Sequence, residues 1–239
     1  MPSKIPSRSE KKKSPTEKQS PVNPTREGLP GDVAAIRKEI SHFFDMLDAN
    51  GNKVGNSQYG VYAFYDYDGE PIYVGQTLES LRQRIGRHLT NQRTDAVAMN
   101  VLDPFEVAEI RVWPLDLSKI NEGERRDYLD RAEFTLFQKV VAESKLGAVL
   151  NEKPPQPKQL VALPLSYNHR IVPDSIYQHR KHPDIRIARR ASTIASLARV
   201  ISERDVSPGL RRTLLTQAKR LEKLAAERLQ NFAGEEDVS

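Results

Sequence analysis

Apolar residues recur along this chain with two different periods, and the changes of period mark out its elements. Val33, Ile36, Ile40, Phe43, Phe44 and Leu47 fall at helical spacing, with Asp32 placed to cap the helix and Asn50-Gly51-Asn52 to end it. A polar loop is predicted as far as Gln58. Residues 61–67 and 71–75 are β-rich runs separated by Asp68-Gly69, a dipeptide suited to hairpin turns because its glycine accepts positive φ. Helical spacing then returns with Leu81, Ile85, His88 and Leu89 on one face. Residues 105–114 read as a third strand. From Glu122 to about Ser144 the pattern is again helical, with Leu129, Ala132, Phe137 and Val140 or Val141 turned inward.

Pro154, Pro155 and Pro157 close this stretch. Beyond them lie two more helical patterns. The first carries a stripe of Ile187, Ala191, Ile194, Ala198 and Ile201, which serves equally as an intramolecular core face or a dimer seam. The second starts at Ser207-Pro208 and carries Leu210, Leu214, Ala218, Leu221 and Leu229. No internal repeat is present. The order predicts an α+β fold: a small, mainly antiparallel sheet flanked by helices, with helical extensions at both ends. The expected boundaries are a disordered basic tail over 1–30, a helical extension over 31–57, a core over 58–155, a basic helical extension over 156–232 and a loose acidic tail over 233–239.

Composition narrows the function. The chain carries a net charge of +5, and residues 168–228 hold 14 Lys and Arg against six Asp and Glu. That concentration of positive charge points to an anionic partner. Residues 1–30 are nearly devoid of apolar side chains; their Lys11, Lys12 and Lys13 read as part of a solvated tail or as a DNA-contacting arm. Cysteine is absent, which excludes disulfides and every thiolate metal site. No run approaches the roughly 20 apolar residues of a membrane helix, and no secretory signal is visible. A soluble, cytoplasmic protein is expected.

The candidate chemistry lies between the two periods. Gly60-Val61-Tyr62 is followed, after ten residues, by Tyr73-Val74-Gly75; Arg84 comes eleven positions beyond Tyr73, and His88 four further on. One helical turn separates Arg84 from His88, so both can address one point, and the two tyrosines fall on adjacent strands of the hairpin. Each residue alone has a plainer reading. Arg84 lies between Arg82 and Arg87 on a basic helix face, and His88 interrupts an apolar stripe. Two phenols, a guanidinium and an imidazole together are unusual for a plain core.

With these residues the sequence resembles the GIY-YIG nuclease superfamily. Its two motifs stand here as GVY and YVG, and LRQRIGRHL over 81–89 resembles the family's helix, with Arg84 in the place of the essential arginine. Glu133 in RAEFTLF and Asn151 in VLNEKPP fit the order of the family's later glutamate and asparagine, although Glu122, Glu124 and Glu143 compete for the first role and Asn151 would also suit a turn. The resemblance covers about residues 58–155. It implies hydrolysis of DNA phosphodiesters with one Mg²⁺ held by Glu133 and phosphate stabilised by Arg84. Tyr62, helped by His88, would take a proton from water, Tyr73 would orient water or phosphate, and Asn151 would brace the site.

Within that superfamily the chain looks most like a type II restriction endonuclease. It stops at 239 residues, has no cysteine for a zinc module, no long linker and no G-x-x-x-x-G-K-[ST] motif. That branch implies double-stranded DNA as partner, a homodimer on a palindromic site and a companion methyltransferase. Candidate DNA contacts in the basic extension are Arg170, His179, Arg180, Lys181, His182, Arg186, Arg189 and Arg190. A homing or repair-type nuclease, or a non-catalytic DNA-binding protein on a degenerate nuclease fold, remains open from sequence.

Overall fold

The computed structural model describes residues 31–89 and 101–236, with side chains to 231. The N-terminal tail and residues 237–239 lie outside the described residues, whereas residues 233–236, expected to be loose, continue the last helix. Four strands form one antiparallel sheet: β1 (Tyr59–Tyr65), β2 (Pro71–Thr77), β3 (Glu109–Leu115) and β4 (Tyr167–Arg170), in the order β2-β1-β3-β4. Among the described residues six α-helices accompany it: α1 (Gly31–Asp45), α2 (Leu81–Leu89), α3 (Glu122–Glu143), α4 (Asp174–Lys181), α5 (Pro183–Glu203) and α6 (Pro208–Glu236). The fold is α+β, as the pattern predicts.

Alternation along β1 divides the core. Tyr62 and Phe64 face one side, with Phe43, Phe44, Leu81, Ile85, Ile110, Leu197 and Leu210. Val61, Ala63 and Tyr65 face the other, where they meet Leu129, Ala132, Leu136 and Val140 of α3. Asp68-Gly69 turns the hairpin, with Gly69 at φ +70°. The Asp66 side chain fixes the same turn by accepting from the amides of Asp68 and Glu70, at 2.9 and 3.0 Å. β2 is an edge strand, a position that matters for the site.

Several expectations need correction. Asp32 lies in the first turn of α1 and pairs with Arg180 rather than standing before the helix. Helix α1 ends at Asp45, and Leu47 is exposed beyond it. The segment read as a polar loop contains a short 3-10 helix, Val54–Asn56, with Gly55 packed under Phe44. Pro104–Glu106 forms another such turn, so β3 starts only at Glu109. β4 and α4 were not anticipated: YNHR shows no apolar alternation, yet it pairs along Glu109–Val112 and extends the sheet from within the segment assigned to the C-terminal extension.

The two long C-terminal helices are also rotated from their expected faces. α5 buries Arg186, Arg190, Leu197 and Val200, leaving Ala191 and Ala198 exposed. α6 buries Leu210, Thr213, Gln217, Arg220 and Leu224, while Leu229 is exposed. Charge pairing decides this. Asp66 Oδ2 accepts from Arg186, Arg190 and Arg220 at 3.2, 3.0 and 2.6 Å. Arg190 Nε also donates to Glu106 at 2.8 Å, and Arg186 Nη1 lies 2.7 Å from Asp68. Stripping water from these ions is tolerable only because each finds counter-charge. The network ties α5 and α6 to the hairpin turn.

Candidate active site

The sequence-selected residues gather around the edge strand β2 from both faces of the sheet. Tyr73, Gly75, Arg84 and Glu133 line one open cleft together with Gln76, Glu79, Arg126 and Lys153. Tyr73 and Arg84 reach it from the face covered by α2, and Glu133 from the face covered by α3. Gly75 lies between them, where a strand residue without a side chain lets the two sides meet.

Tyr62 and His88 lie behind this cleft. Tyr62 pairs directly with Gly75 across the β1–β2 ladder, and its ring is completely buried. A Cβ at position 75 would stand 2.6 Å from the Tyr62 hydroxyl. Gly60 gives the same kind of clearance to Leu81 at the start of α2, 3.0 Å from an added Cβ. The glycines of both motifs thus let a helix and a phenol approach the backbone. The Tyr62 hydroxyl is 3.3 Å from His88 Nδ1, and the His88 ring stands edge-on to Tyr73 at 4.6 Å between centroids. Of the two phenols, Tyr73 is the one that lines the cleft.

Arg84 is half-buried, and its Nε has no hydrogen-bond partner although it is shielded from solvent. Burial opposes its charge, but the Tyr62 hydroxyl, Tyr73 and Glu79 outweigh that and keep its pKa raised. An anion in the cleft would meet a permanently charged guanidinium.

Glu133 is the most perturbed carboxyl of the cleft. Burial, and then the charge of Asp130 one turn away on α3, push its pKa up to about 7; Gln76, Arg126 and Arg84 pull the other way. Gln76 Nε2 donates to Asp130 Oδ1 at 2.9 Å, while Gln76 Oε1 is buried without a partner. Asp130 also pairs with Arg126 at 3.2 Å and with Lys158 at 3.6 Å. Among the described residues no group of three or more His, Cys, Asp or Glu could enclose a metal. Glu133 and Glu79 are the carboxylates that line the cleft, and Glu79 is already paired with Arg87. Gln76, Glu79, Arg126 and Lys153 carry no signal in the sequence pattern, except that Gln76 directly follows the YVG motif.

Asn151 does not line the cleft. Its Oδ1 accepts from the Val74 amide at 3.0 Å and its Nδ2 donates to the Val74 carbonyl at 2.8 Å. The Leu150 amide donates to the Ile72 carbonyl beside it, at 2.8 Å. These bonds satisfy the outer edge of β2 between Tyr73 and Gly75, as a neighbouring strand would.

The candidate DNA contacts divide. Arg186 and Arg190 are almost fully buried in the Asp66 network, which removes them from any surface that DNA could touch. Arg180 is buried over the Phe105 ring, and Arg189 is held by both oxygens of Asp103 at 2.9 and 3.0 Å. His182 accepts from the Asp184 amide and caps α5. Arg170, His179 and Lys181 remain exposed, Arg170 beside Asp174. A run of basic residues resembles a solvated face; its acidic partners lie up to 148 positions away in the chain.

No curated protein and no solved structure matches the chain. Residues 58–143, from β1 to the end of α3 and including every cleft residue named above except Lys153, match the family model of the GIY-YIG catalytic domain, which indicates a nuclease superfamily for that segment.

Proposed function

We propose that the protein is a Mg²⁺-dependent type II restriction endonuclease that hydrolyses both strands of a short duplex DNA site. The observation that carries this reading is the convergence of Tyr73, Arg84 and Glu133 in one cleft around Gly75, with the Tyr62–His88 pair directly behind.

Nucleases of this superfamily generally use a divalent metal ion. The donor set fits a hard cation: Glu133 offers carboxylate oxygens, and so sparse a protein shell suits an ion that keeps several of its waters. Glu133 would hold the ion, which would supply charge neutralisation at the scissile phosphate and an acidified water.

The chain's own groups account for the rest. Arg84 binds the phosphate oxygens where negative charge accumulates during attack. Tyr73, at the cleft wall, orients the attacking water by hydrogen bonding. Tyr62 and His88 form the proton-accepting pair behind it. Water adds to phosphorus, its proton passes toward that pair, and the bond to the 3′ oxygen breaks, that oxygen taking a proton from solvent, leaving a 5′ phosphate and a 3′ hydroxyl. Asn151 keeps β2 in register so that Tyr73 and Gly75 hold their places.

The restriction assignment is supported by the way the basic helices are attached. α5 and α6 are joined to the hairpin by buried ion pairs, which suits base reading at a fixed offset from the cut better than a flexible tether does. One such cleft among the described residues and two strands to cut imply a homodimer on palindromic DNA. A host would then need a companion methyltransferase. The test is digestion of plasmid and phage DNAs with Mg²⁺: discrete fragments sharing one terminal sequence are expected. Cutting confined to branched or damaged DNA would refute the restriction reading, and binding without cutting would refute the nuclease reading.

A further inference from the structure

We infer that Gln76 is a second protein ligand for the divalent cation, with Asp130 as the residue that orients it. The inference rests on Glu133 holding that cation.

The argument starts from the amide. Gln76 Nε2 donates to Asp130 Oδ1 at 2.9 Å. An ionised carboxylate can only accept, so the nitrogen must occupy that side and the amide is fixed against flipping. Asp130 is itself held by Arg126 at 3.2 Å and by Lys158 at 3.6 Å, the same Lys158 that pairs with Asp127 at 2.6 Å. Its charge is thus balanced by cations, and its position is set by contacts from β2, from its own helix and from the segment that carries Lys158. Asp130 serves as an anchor.

That anchoring leaves Gln76 Oε1 buried with no hydrogen-bond partner. A buried carbonyl without a partner is costly, and a native structure rarely keeps one without a use. Gln76 and Glu133 line the same cleft, one from β2 and the other from α3. The Gln76 amide also hydrogen-bonds Glu133 through its N–H, which sets the neutral oxygen one amide group from that carboxylate. Such an oxygen with a carboxylate is a normal pair for a hard cation that retains most of its water. It adds a ligand without adding a third negative charge to Glu133 and Asp130.

The test is a titration of the full-length protein with Mn²⁺, followed by electron spin resonance without DNA, for wild type, Glu133→Ala, Gln76→Met and Gln76→Glu, each checked for folding by circular dichroism. Methionine keeps the side-chain length and removes the hard oxygen; glutamate keeps an oxygen and removes the N–H. Gln76→Met is expected to weaken Mn²⁺ binding about tenfold, the scale on which such support acts. Gln76→Glu should stay within about threefold of wild type or bind more tightly. Asp130→Ala should weaken binding, and adding it to Gln76→Met should cause no further loss. Wild-type affinity in Gln76→Met, with binding lost in Glu133→Ala, would overturn the role of Gln76 alone. Equal weakening in Gln76→Met and Gln76→Glu would reduce Gln76 to a donor for Asp130 and also overturn it. Binding that is unaffected by Glu133→Ala, or absent in wild type, would overturn the metal centre itself.

Discussion

Gly75 and Tyr62 face each other across the β1–β2 ladder so closely that an added Cβ at position 75 would lie 2.6 Å from the Tyr62 hydroxyl. The ring is fully buried and packed against Phe64 and His88, so it has nowhere to retreat.

Gly75→Ala should therefore destabilise the fold by about 1–3 kcal/mol, the usual cost of overpacking. It should also shift the Tyr62 hydroxyl from His88 and abolish cleavage. Urea unfolding and a plasmid assay on the same preparation check both parts. An alanine variant with wild-type stability and activity would show that the contact is not tight.

Asn151 braces the outer edge of β2 with two hydrogen bonds to Val74. Asn151→Ala should cost about 1–3 kcal/mol, two bonds at the usual net value each. Hydrogen exchange at the Val74 amide should speed up in this variant while amides of β3 keep their protection. Asn151→Asp retains the acceptor but loses the donor, and an intermediate effect is expected.

Much of this edge was legible in the sequence, for a physical reason. The hairpin depends on local signals, Asp68-Gly69 and alternating apolar residues, and the motif residues sit at short, regular spacings from it. What stayed hidden is what depends on distant partners. Tyr167–Arg170 joins the sheet because β3 offers a free edge, which four polar-rich residues cannot announce. Arg186 and Arg190 turn inward because Asp66 and Glu106 wait there. Gln76 carries no local signal of its own because its partners Asp130 and Glu133 lie on a helix far along the chain.

Asp66 receives three buried guanidinium groups. Asp66→Ala should cost about 3–5 kcal/mol, since it leaves buried cations uncompensated. Arg170→Ala and Lys181→Ala, at exposed positions, should leave thermal stability within about 0.5 kcal/mol and weaken DNA binding alike for all sequences, as phosphate contacts do. Sequence-selective weakening by either would place it on a base instead.

Glu133 gives a pH signature in EDTA. Its folded pKa, about 7, is above that of an unfolded carboxyl, so the unfolded state holds its charge more easily. The stability that comes with protonated Glu133 is full below the unfolded pKa, declines as pH rises from there, and is lost above about 7. Glu133→Gln should accordingly melt higher than wild type at pH 8 and differ little at pH 4. A wild-type melting temperature above that of the variant at pH 8 in EDTA would contradict the assigned direction.

The most direct measurement is cleavage of supercoiled plasmid by wild type, Glu133→Ala and Arg84→Ala, in Mg²⁺ and in EDTA, with folding of each variant verified. The account expects cutting by wild type in Mg²⁺ only, and a loss of at least about a hundredfold in each variant, comparable to removal of a transition-state contact. Wild-type rates in either folded variant, or cutting that persists in EDTA, would contradict a metal-assisted phosphodiesterase centred on the cleft around Gly75.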